Sequence, residues 1–367
     1  MAIFVTGGTG YIGSYVVAGL LERSDEKIFV LARDGTRMKL WHALQLHMDF
    51  EGFRRACDER VTILDGDITK ERLGLKDQEY ATACRETTSV IHIAASLNRK
   101  SEKSCLNVNL RGTLEVLLMA QRAHADHGLK RFSHVSTVAV AGKRQDEVVL
   151  EDEAVDWDRA DYDPYARTKK FSEHMVGKML PDVPRTIFRP SVVLGDATRP
   201  ETTQFDMVRA FAFLARLPVL PLRADDRIDI VPVDYVSDAI VTLHLKDETP
   251  HVIYHLASGE ASQTYAVITA ALAEARKKSP PWFWSWMDIP FDWTSRALGS
   301  LHGTSVGRAA ARMEVFLPYL TYNTVFDNQR VADALGRKPM AFTDYCHPLL
   351  RWSLEHKFQY PYREYPE

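Results

Sequence analysis

A glycine-rich loop near the start of the chain places the strongest constraint on its fold. A short apolar run, Ile3 to Val5, leads into Thr6-Gly7-Gly8-Thr9-Gly10-Tyr11-Ile12-Gly13, and apolar residues at helical spacing follow. This order predicts a buried strand, a tight turn and a helix. The start of such a helix offers free N–H groups and partial positive charge to a pyrophosphate, so we predict a dinucleotide site. A glycine-rich turn without a ligand is the alternative. The predicted contacts are Gly7, Thr9, Gly10, Tyr11, Ile12 and Gly13.

Apolar runs alternate with helical patterns through the first half of the chain. The predicted strands are Lys27–Ala32, Val61–Leu64, Ser89–Ala95, Arg131–Val140 and Pro184–Arg189, and the longest helix runs from Val108 to His127 and stops at Gly128. This alternation predicts an α/β fold with a Rossmann-type doubly wound parallel sheet. We expect residues 1–190 to form the nucleotide-binding core, with later returns near 228–257, and residues 191–367 to form a smaller, mostly helical substrate lobe.

The lobe region has a looser pattern, from which four elements are predicted. Residues 203–217 and 264–277 show helical spacing, and residues 252–257 form a short apolar run typical of a strand. Asp234 precedes another helical pattern, and its carboxylate is suited to cap that helix.

The end of the second predicted strand distinguishes between the two nicotinamide dinucleotides. An acidic residue there usually binds the ribose hydroxyls of NAD, whereas arginine suits the 2′-phosphate of NADP. Here the strand is followed by Arg33 and then by Arg37, which predicts NADPH. Asp34 supports the rival interpretation.

Residues that follow the third and fourth strands extend the predicted nucleotide site. In an open parallel sheet, ligands bind outside the carboxyl ends of the strands. Asp67 and Ile68 follow the third strand and are expected near the adenine. Ala94 and Ala95 end the fourth strand and leave room for the cofactor to pass closely.

The candidate catalytic pair is Tyr165 and Lys169, which begin and end the only Tyr-x-x-x-Lys pentapeptide of the chain. Residues four apart share one face of a helix, so the phenol lies beside the ammonium. A nearby cation lowers the pKa of a phenol and makes the pair a proton donor or acceptor for a carbonyl or an alcohol. Ser136 and Thr137 fall near the end of the fifth strand and are placed to hydrogen-bond a substrate oxygen. Alternatively, they only close that strand.

Several motifs together resemble the extended short-chain dehydrogenase/reductases, and the resemblance covers nearly the whole chain. The motifs are the glycine loop, His134-Val135-Ser136-Thr137, the pentapeptide from Tyr165 to Lys169, Arg189-Pro190-Ser191, and a C-terminal signature of Phe326-Asp327-Asn328 with Leu335 to Pro339. In that family the hydroxyl five residues before a strand-end glycine is catalytic. Counting back from Gly142 selects Thr137, with Ser136 as the alternative. The resemblance also implies cofactor contacts from Asn109, Tyr165, Lys169, Pro190, Val192 and Val193.

Within that family, three segments are most similar to the thioester-reductase and fatty-acyl-reductase branch. They are Leu73-Gly74-Leu75, His134 to Gly142, and Arg189 to Gly195. The resemblance implies reduction of a hydrophobic acyl group, bound to coenzyme A or a carrier protein, to an aldehyde or alcohol with NADPH. The branches that act on secondary alcohols of steroid or β-hydroxy-acid type, and the sugar epimerases, share the core motifs and stay open. A non-catalytic dinucleotide-binding protein is the alternative from a different class.

The segment from Trp282 to Trp293 is unusually aromatic and contains Phe283, Trp284 and Trp286. So much aromatic surface must be buried or must face an apolar ligand, a membrane surface or another subunit. Ordinary lobe core is the simplest interpretation, an apolar substrate wall the second, and peripheral membrane or subunit contact the third. Our hypothesis is that the lobe accepts a hydrophobic acyl or ring substrate.

Composition and charge limit the remaining classes of function. With 46% hydrophobic and 26% charged residues the chain is of ordinary globular type, and its net charge of −3 gives no reason to expect nucleic acid. Scattered cysteines and no secretory leader predict free thiols and a cytoplasmic location. His124 and His127 lack a third ligand, so we expect no metal. No apolar run reaches the ~20 residues of a membrane span. Dimerisation through two long helices, common in the family, is left open.

Overall fold

The structure of the chain, a computed structural model, describes residues 1–152, 155–214, 216–220, 222–284 and 323–366. Strands and helices alternate along it, as expected of an α/β fold. The strands are β1 (Ala2–Thr6), β2 (Lys27–Ala32), β3 (Val61–Asp65), β4 (Thr87–His92), β5 (Arg131–Val135), β6 (Val148–Val149), β7 (Arg185–Pro190), β8 (Val192–Val193), β9 (Val219–Leu220), β10 (Arg227–Ile228), β11 (Ile230–Val231), β12 (Ile253–Leu256), β13 (Gln263–Thr264), β14 (Trp282–Phe283) and β15 (Val325–Phe326).

Seven of these strands form one parallel sheet in the order β12-β7-β5-β4-β1-β2-β3. Its central strands are apolar and buried because helices cover both faces. The chain order reverses beside β1, which pairs with β2 on one side and with β4 on the other. A reversal of this kind opens a crevice at the carboxyl ends of the strands, where ligands of open α/β sheets bind.

Helices pack on the two faces of the sheet in separate layers. The α-helices are α1 (Tyr11–Arg23), α2 (Arg37–Leu44), α3 (Phe50–Glu59), α4 (Asp77–Glu86), α5 (Glu102–Cys105), α6 (Gly112–His127), α7 (Pro164–Met179), α8 (Asp206–Leu214), α9 (Val233–Leu245), α10 (Tyr265–Ala275), α11 (Gln329–Leu335) and α12 (Phe342–Glu355). On one face α1, α2, α3 and α9 share a hydrophobic core with the strands. On the other face α4, α6 and α7 share a second one.

A third hydrophobic core belongs to the lobe formed by the second half of the chain. It joins α8, α10 and α12 through buried aromatic residues that include Phe211, Tyr265 and Tyr345. Short strand pairs also occur in this half: β8 with β11, β10 with β13, and β9 with β14. β15 pairs instead with β6, which precedes the lobe in the chain. β12 also comes from the second half of the chain, but it pairs with β7 at the edge of the main sheet. The division into core and lobe segments proposed from the sequence stays a prediction.

The predicted fold class is confirmed, but several element ends differ. β4 ends at His92 and β5 at Val135, so both are shorter than the apolar runs suggested. After β5 the Thr137 hydroxyl accepts a hydrogen bond from the Ala139 N–H at 3.3 Å and starts a single 3₁₀ turn. α6 stops before Gly128, whose φ of +83° favours glycine.

The prediction that Asp234 caps a helix was wrong. α9 begins one residue earlier, and the Asp234 carboxylate instead accepts a hydrogen bond from the backbone N–H of Ala197 at 2.9 Å. The next observations concern only the residues that the structure describes. All four cysteines are buried free thiols. Across the same ranges, no cluster of three metal-ligating side chains is found, and no helix combines the length and the apolarity of a membrane span.

Candidate active site

A cleft of about 750 Å³ lies above the carboxyl ends of β1, β4, β5 and β7. The glycine loop and the helix that carries Tyr165 both border it. Nearly every residue predicted to contact the cofactor lines this one cleft; the exceptions are Arg37 and Asn109. The sequence-predicted site residues therefore converge on a single cavity, although they come from segments far apart along the chain.

The glycine loop holds the start of α1 against the cleft. Gly7 has a φ of +74°, and its carbonyl accepts a hydrogen bond from the Gly10 N–H at 2.9 Å. A Cβ atom at Gly13 would lie only 1.9 Å from the Gly7 carbonyl oxygen, so only glycine allows the loop and helix to pack this closely. Gly10 caps α1 without any side-chain hydrogen bond. The first N–H groups of the helix thus face the cleft ready for an anion such as a pyrophosphate.

Two cations lie where the second strand meets the cleft. Arg33 and Lys39 both line it, and the Lys39 ammonium donates to the backbone carbonyl of Arg33. Arg37 does not reach the cleft, since its guanidinium pairs with Asp58 at 2.8 Å. Asp34, the residue of the rival interpretation, is exposed and does not line the cleft either. Lys39 is a cleft residue that the sequence analysis missed.

Asn109 does not line the cleft, but it contacts the loop and the helix that border it. Its side chain is buried, with 1% of its surface exposed. Its amide oxygen accepts from the Ser96 N–H at 2.7 Å, and its amide nitrogen donates to the Ser96 carbonyl at 3.2 Å and to Thr168 at 3.1 Å. Asn109 thus ties the loop after β4 to the helix that carries Tyr165.

Tyr165 and Lys169 lie one turn apart on α7, and both side chains are buried at the cleft. The helix starts at Pro164, and the Asp163 carboxylate caps it by accepting from the Ala166 N–H at 2.8 Å. Proline at the first position and aspartate at the cap both favour a helix start. The Lys169 ammonium donates to the Val135 carbonyl at 2.7 Å, which fixes α7 to the end of β5.

Thr137 is brought to Tyr165, and Ser136 is not. The Thr137 hydroxyl lies close enough to the Tyr165 phenol to lower its pKa, and it donates to the Pro190 carbonyl at 3.5 Å. Ser136 also lines the cleft, but its hydroxyl is buried without a hydrogen-bond partner among the residues that the structure describes. The geometry therefore favours Thr137 as the hydroxyl beside the phenol.

Burial and neighbouring groups have opposing effects on the pKa values of Tyr165 and Lys169. Burial raises the pKa of the Tyr165 phenol, while the nearby Arg99 guanidinium and the Thr137 hydroxyl lower it. Burial lowers the pKa of the Lys169 ammonium to about 8, and the charge of Glu173 partly opposes that change. Lys169 is thus poised close to neutrality, which is typical of functional sites.

Loops and the lobe complete the lining of the cleft. Their apolar side chains there include Leu97, Val138, Met207, Ile228 and Phe326, and Gln204, Asp206 and Arg227 are polar or charged. Ser191 and Asp229 add polar atoms, and the Ser191 hydroxyl donates to the Asp229 carboxylate at 2.6 Å. Burial raises the pKa of Asp229 to about 6, although Ser191 and the N–H groups of Ser258 and Gly259 lower it. The mixture suits an apolar ligand with a polar reacting end.

The aromatic segment is described only in part. Trp282 and Phe283 form β14, and Phe283 packs against the core of the lobe. Trp282 has 81% of its surface exposed and Trp284 has 42%, and neither lines the cleft. The remainder, including Trp286 and Trp293, lies outside the described residues.

Comparison with known proteins yields a consistent set of relatives. The model of the family described as male sterility protein, an NAD-binding domain, matches residues 5–240. A nonribosomal peptide synthetase of Aspergillus flavus is 28% identical over 276 residues, which is 68% of this chain and 26% of that protein. A linear gramicidin synthase of Brevibacillus parabrevis is 26% identical over 73% of this chain and 5% of its own length. A fatty acyl-CoA reductase of Drosophila melanogaster is 24% identical over 72% of this chain and 58% of its own length. The chain thus spans less than two thirds of these relatives.

Solved structures agree with the family match. The terminal R domain of the myxalamid PKS-NRPS pathway is 25% identical, with a TM-score of 0.79 over 97% of this chain and 91% of that domain. The reductase domain of a nonribosomal peptide synthetase from Mycobacterium tuberculosis has a TM-score of 0.71 over 97% of this chain and 92% of that one, at 19% identity. The second likeness shows a shared fold.

A Gly13→Ala variant should lose dinucleotide binding. The added methyl would collide with the Gly7 carbonyl and push the loop out of place, so we expect affinity for NADPH and NADH to fall by about 100-fold or more. Fluorescence titration of the nicotinamide measures this directly. Gly177→Ala is the matched control, because a Cβ there meets nothing within 4 Å and alanine favours the helix. Unchanged affinity in Gly13→Ala would contradict the assignment of the loop.

Proposed function

This chain belongs to the male sterility protein family, within the extended short-chain dehydrogenase/reductases, and from that premise we propose that it reduces a hydrophobic acyl thioester with NADPH. The observation that carries the proposal is that Thr137 lines the same cleft as the buried pair of Tyr165 and Lys169, which lie one helical turn apart. These three groups face one cleft with the glycine loop. They supply what a carbonyl reductase needs around its substrate oxygen.

The choice of a thioester rests on the relatives and on the shape of the cleft. Several relatives are peptide or polyketide synthetases, one structural relative is a thiolation-reductase di-domain, and another relative is a fatty acyl-CoA reductase. The apolar side chains that the loops and the lobe contribute to the cleft offer a surface for an acyl group. We propose that coenzyme A or a carrier protein presents the acyl group there.

The side chains have distinct roles in the proposed reaction. Bound NADPH supplies the hydride for the carbonyl carbon. Tyr165 donates its phenolic proton to the carbonyl oxygen, and Thr137 donates a hydrogen bond to the same oxygen as negative charge develops on it. Lys169, held by the Val135 carbonyl, would hold the nicotinamide ribose of bound NADPH. Loss of thiol from the first adduct leaves an aldehyde.

The preference for NADPH rests on the two cations beside the second strand. Arg33 and Lys39 line the cleft next to the start of α2, where a 2′-phosphate would meet two positive charges. Charge-assisted hydrogen bonds from such groups are strong and suit phosphate. An unphosphorylated ribose would leave both charges without this partner.

Purified protein should oxidise NADPH when given a long-chain acyl-coenzyme A and should release free thiol. The product should be an aldehyde or an alcohol, identified by mass spectrometry. Matched ketones and secondary alcohols of the same chain length serve as comparison substrates. Turnover of these but of no thioester would reject the thioester proposal and would favour the secondary-alcohol branch.

A Tyr165→Phe variant should lose about 1,000-fold in kcat because it lacks the proton donor, which is the usual scale of general acid catalysis. Its affinity for NADPH should stay within about threefold, since only one hydroxyl is removed. Tyr162→Phe, which removes another phenol from the same cleft, should keep at least about a tenth of the activity. Full activity in Tyr165→Phe would refute the mechanism.

An Arg33→Gln variant should bind NADPH about 10- to 100-fold more weakly and should bind NADH almost as before. The reason is that only NADPH carries the phosphate that the guanidinium would contact. Arg37→Gln is the control, because that arginine pairs with Asp58 outside the cleft. Equal losses for both dinucleotides, or equal effects of the two variants, would contradict the assignment of Arg33.

A further inference from the structure

Arg99 lies directly over the ring of Tyr165, although no sequence motif points to it. It belongs to the loop after β4 and lines the cleft. Its guanidinium carbon is 4.7 Å from the centre of the Tyr165 ring. A cation within about 6 Å of a ring face is attracted by the electrons of the ring, and more strongly when water is excluded.

The same guanidinium is fixed to the helix that carries Tyr165. Its Nη1 donates to Oδ2 of Asp163 at 3.1 Å, and the two side chains are only 16% and 14% exposed. The other oxygen of Asp163 caps the helix through the Ala166 N–H. One carboxylate therefore holds both the first turn of α7 and the cation above Tyr165. The position of Arg99 relative to the phenol is set by the helix start itself.

Lys169 alone does not account for the charge around this phenol. Its ammonium donates to the Val135 carbonyl, and burial lowers its pKa to about 8. The guanidinium of an arginine stays protonated at any pH at which a protein is folded. Arg99 is thus the cation next to Tyr165 that does not lose its charge.

The groups that face Tyr165 oppose one another. Burial raises the pKa of the phenol most, and Asp163 and Cys105 add to that increase. Arg99 opposes them more than the Thr137 hydroxyl does. Without Arg99, the phenol would keep the nearby Asp163 carboxylate and would lose the group that lowers its pKa most.

We propose that Arg99 is a positioning residue for Tyr165, which stabilises the phenolate left behind when the phenol gives up its proton. This inference rests on the proposed role of Tyr165 as proton donor. When the Tyr165 O–H bond breaks, the proton forms a new O–H bond on the substrate oxygen, and the electron pair stays on the phenolate. The ring under Arg99 becomes more negative during this step. The attraction is therefore stronger in the transition state than in the ground state, which is the condition for acceleration.

The test compares Arg99→Gln with Arg167→Gln, a control on the helix that carries Tyr165. Arg167 has 51% of its side chain exposed and pairs only loosely with Glu102 and Asp161, at 3.4 and 3.6 Å. The direct measurement is NMR titration of protein labelled with [¹³Cζ]tyrosine, in which the Tyr165 signal is assigned from its loss in Tyr165→Phe. It needs no substrate, so it is independent of the identity of the acyl group.

We expect Arg99→Gln to raise the pKa of Tyr165 by about one unit and Arg167→Gln to leave it in place. With a turned-over substrate, kcat at neutral pH should fall about tenfold while the KM for NADPH stays within about threefold. The pKa of the group whose deprotonation lowers kcat should rise by the same amount as the pKa of Tyr165 measured by NMR. Arg99→Lys, which keeps a charge but loses the planar fork, should recover part of both effects.

Three results would overturn the inference. The first is an unchanged pKa of Tyr165 in an Arg99→Gln variant whose unfolding temperature equals that of the wild type. The second is a shifted pKa of Tyr165 without any change in kcat. The third applies if Arg99→Gln does not fold and Arg99→Lys replaces it. The inference is then overturned if the pKa of Tyr165 in Arg99→Lys is no higher than in Arg167→Lys. Failure of every carbonyl substrate would instead reject the proposed function, while the titration would still show whether Arg99 acts on the phenol.

Discussion

The geometry of the site depends on how α7 is anchored to the sheet. Tyr165, Lys169 and Glu173 occupy one face of that helix at intervals of four residues. Glu173 forms two hydrogen bonds with Arg189 of β7, at 2.7 and 3.0 Å, and both side chains are almost fully buried. Breaking a buried pair of this kind by removing one partner leaves an uncompensated charge and costs about 3–5 kcal/mol. One turn away, Lys169 holds the end of β5. The phenol is therefore fixed by two polar contacts deeper in the fold.

Local spacing made the glycine loop, Tyr165 and Lys169 predictable from the sequence. Each belongs to a pattern in which one element fixes the relative positions of its residues. Arg37 was predicted to bind the cofactor and Lys39 was not considered, although both lie in the first turn of an eight-residue helix. Their spacing does not reveal which side faces the cleft; that depends on Asp58 of α3, which binds Arg37. Arg99, Met207 and Ile228 reach the cleft from a loop and from the lobe, whose positions are set by contacts distant in sequence.

The two strands that were predicted to be too long, β4 and β5, show a related limit of sequence patterns. The run from Arg131 to Val140 is apolar enough to continue a strand, yet β5 stops at Val135. The backbone then turns because the Thr137 hydroxyl accepts the Ala139 N–H. That turn brings Thr137 next to Tyr165. A hydroxyl that accepts from its own backbone competes with the sheet, and hydrophobic periodicity does not register this competition.

Two cations with different chemistry lie near Tyr165, the proposed proton donor. Lys169, with its pKa near 8, loses its charge as the pH rises through that value, whereas Arg99 keeps its charge. The depressed pKa of Lys169 follows from its burial, and the same burial lets it bind the Val135 carbonyl closely. Lys169 is thus suited to hold neighbouring groups and to exchange a proton near neutral pH. Arg99 is suited to maintain a constant positive field over the ring. Because the two cations have separate tasks, the phenol can be buried away from water while Arg99 still stabilises its phenolate form.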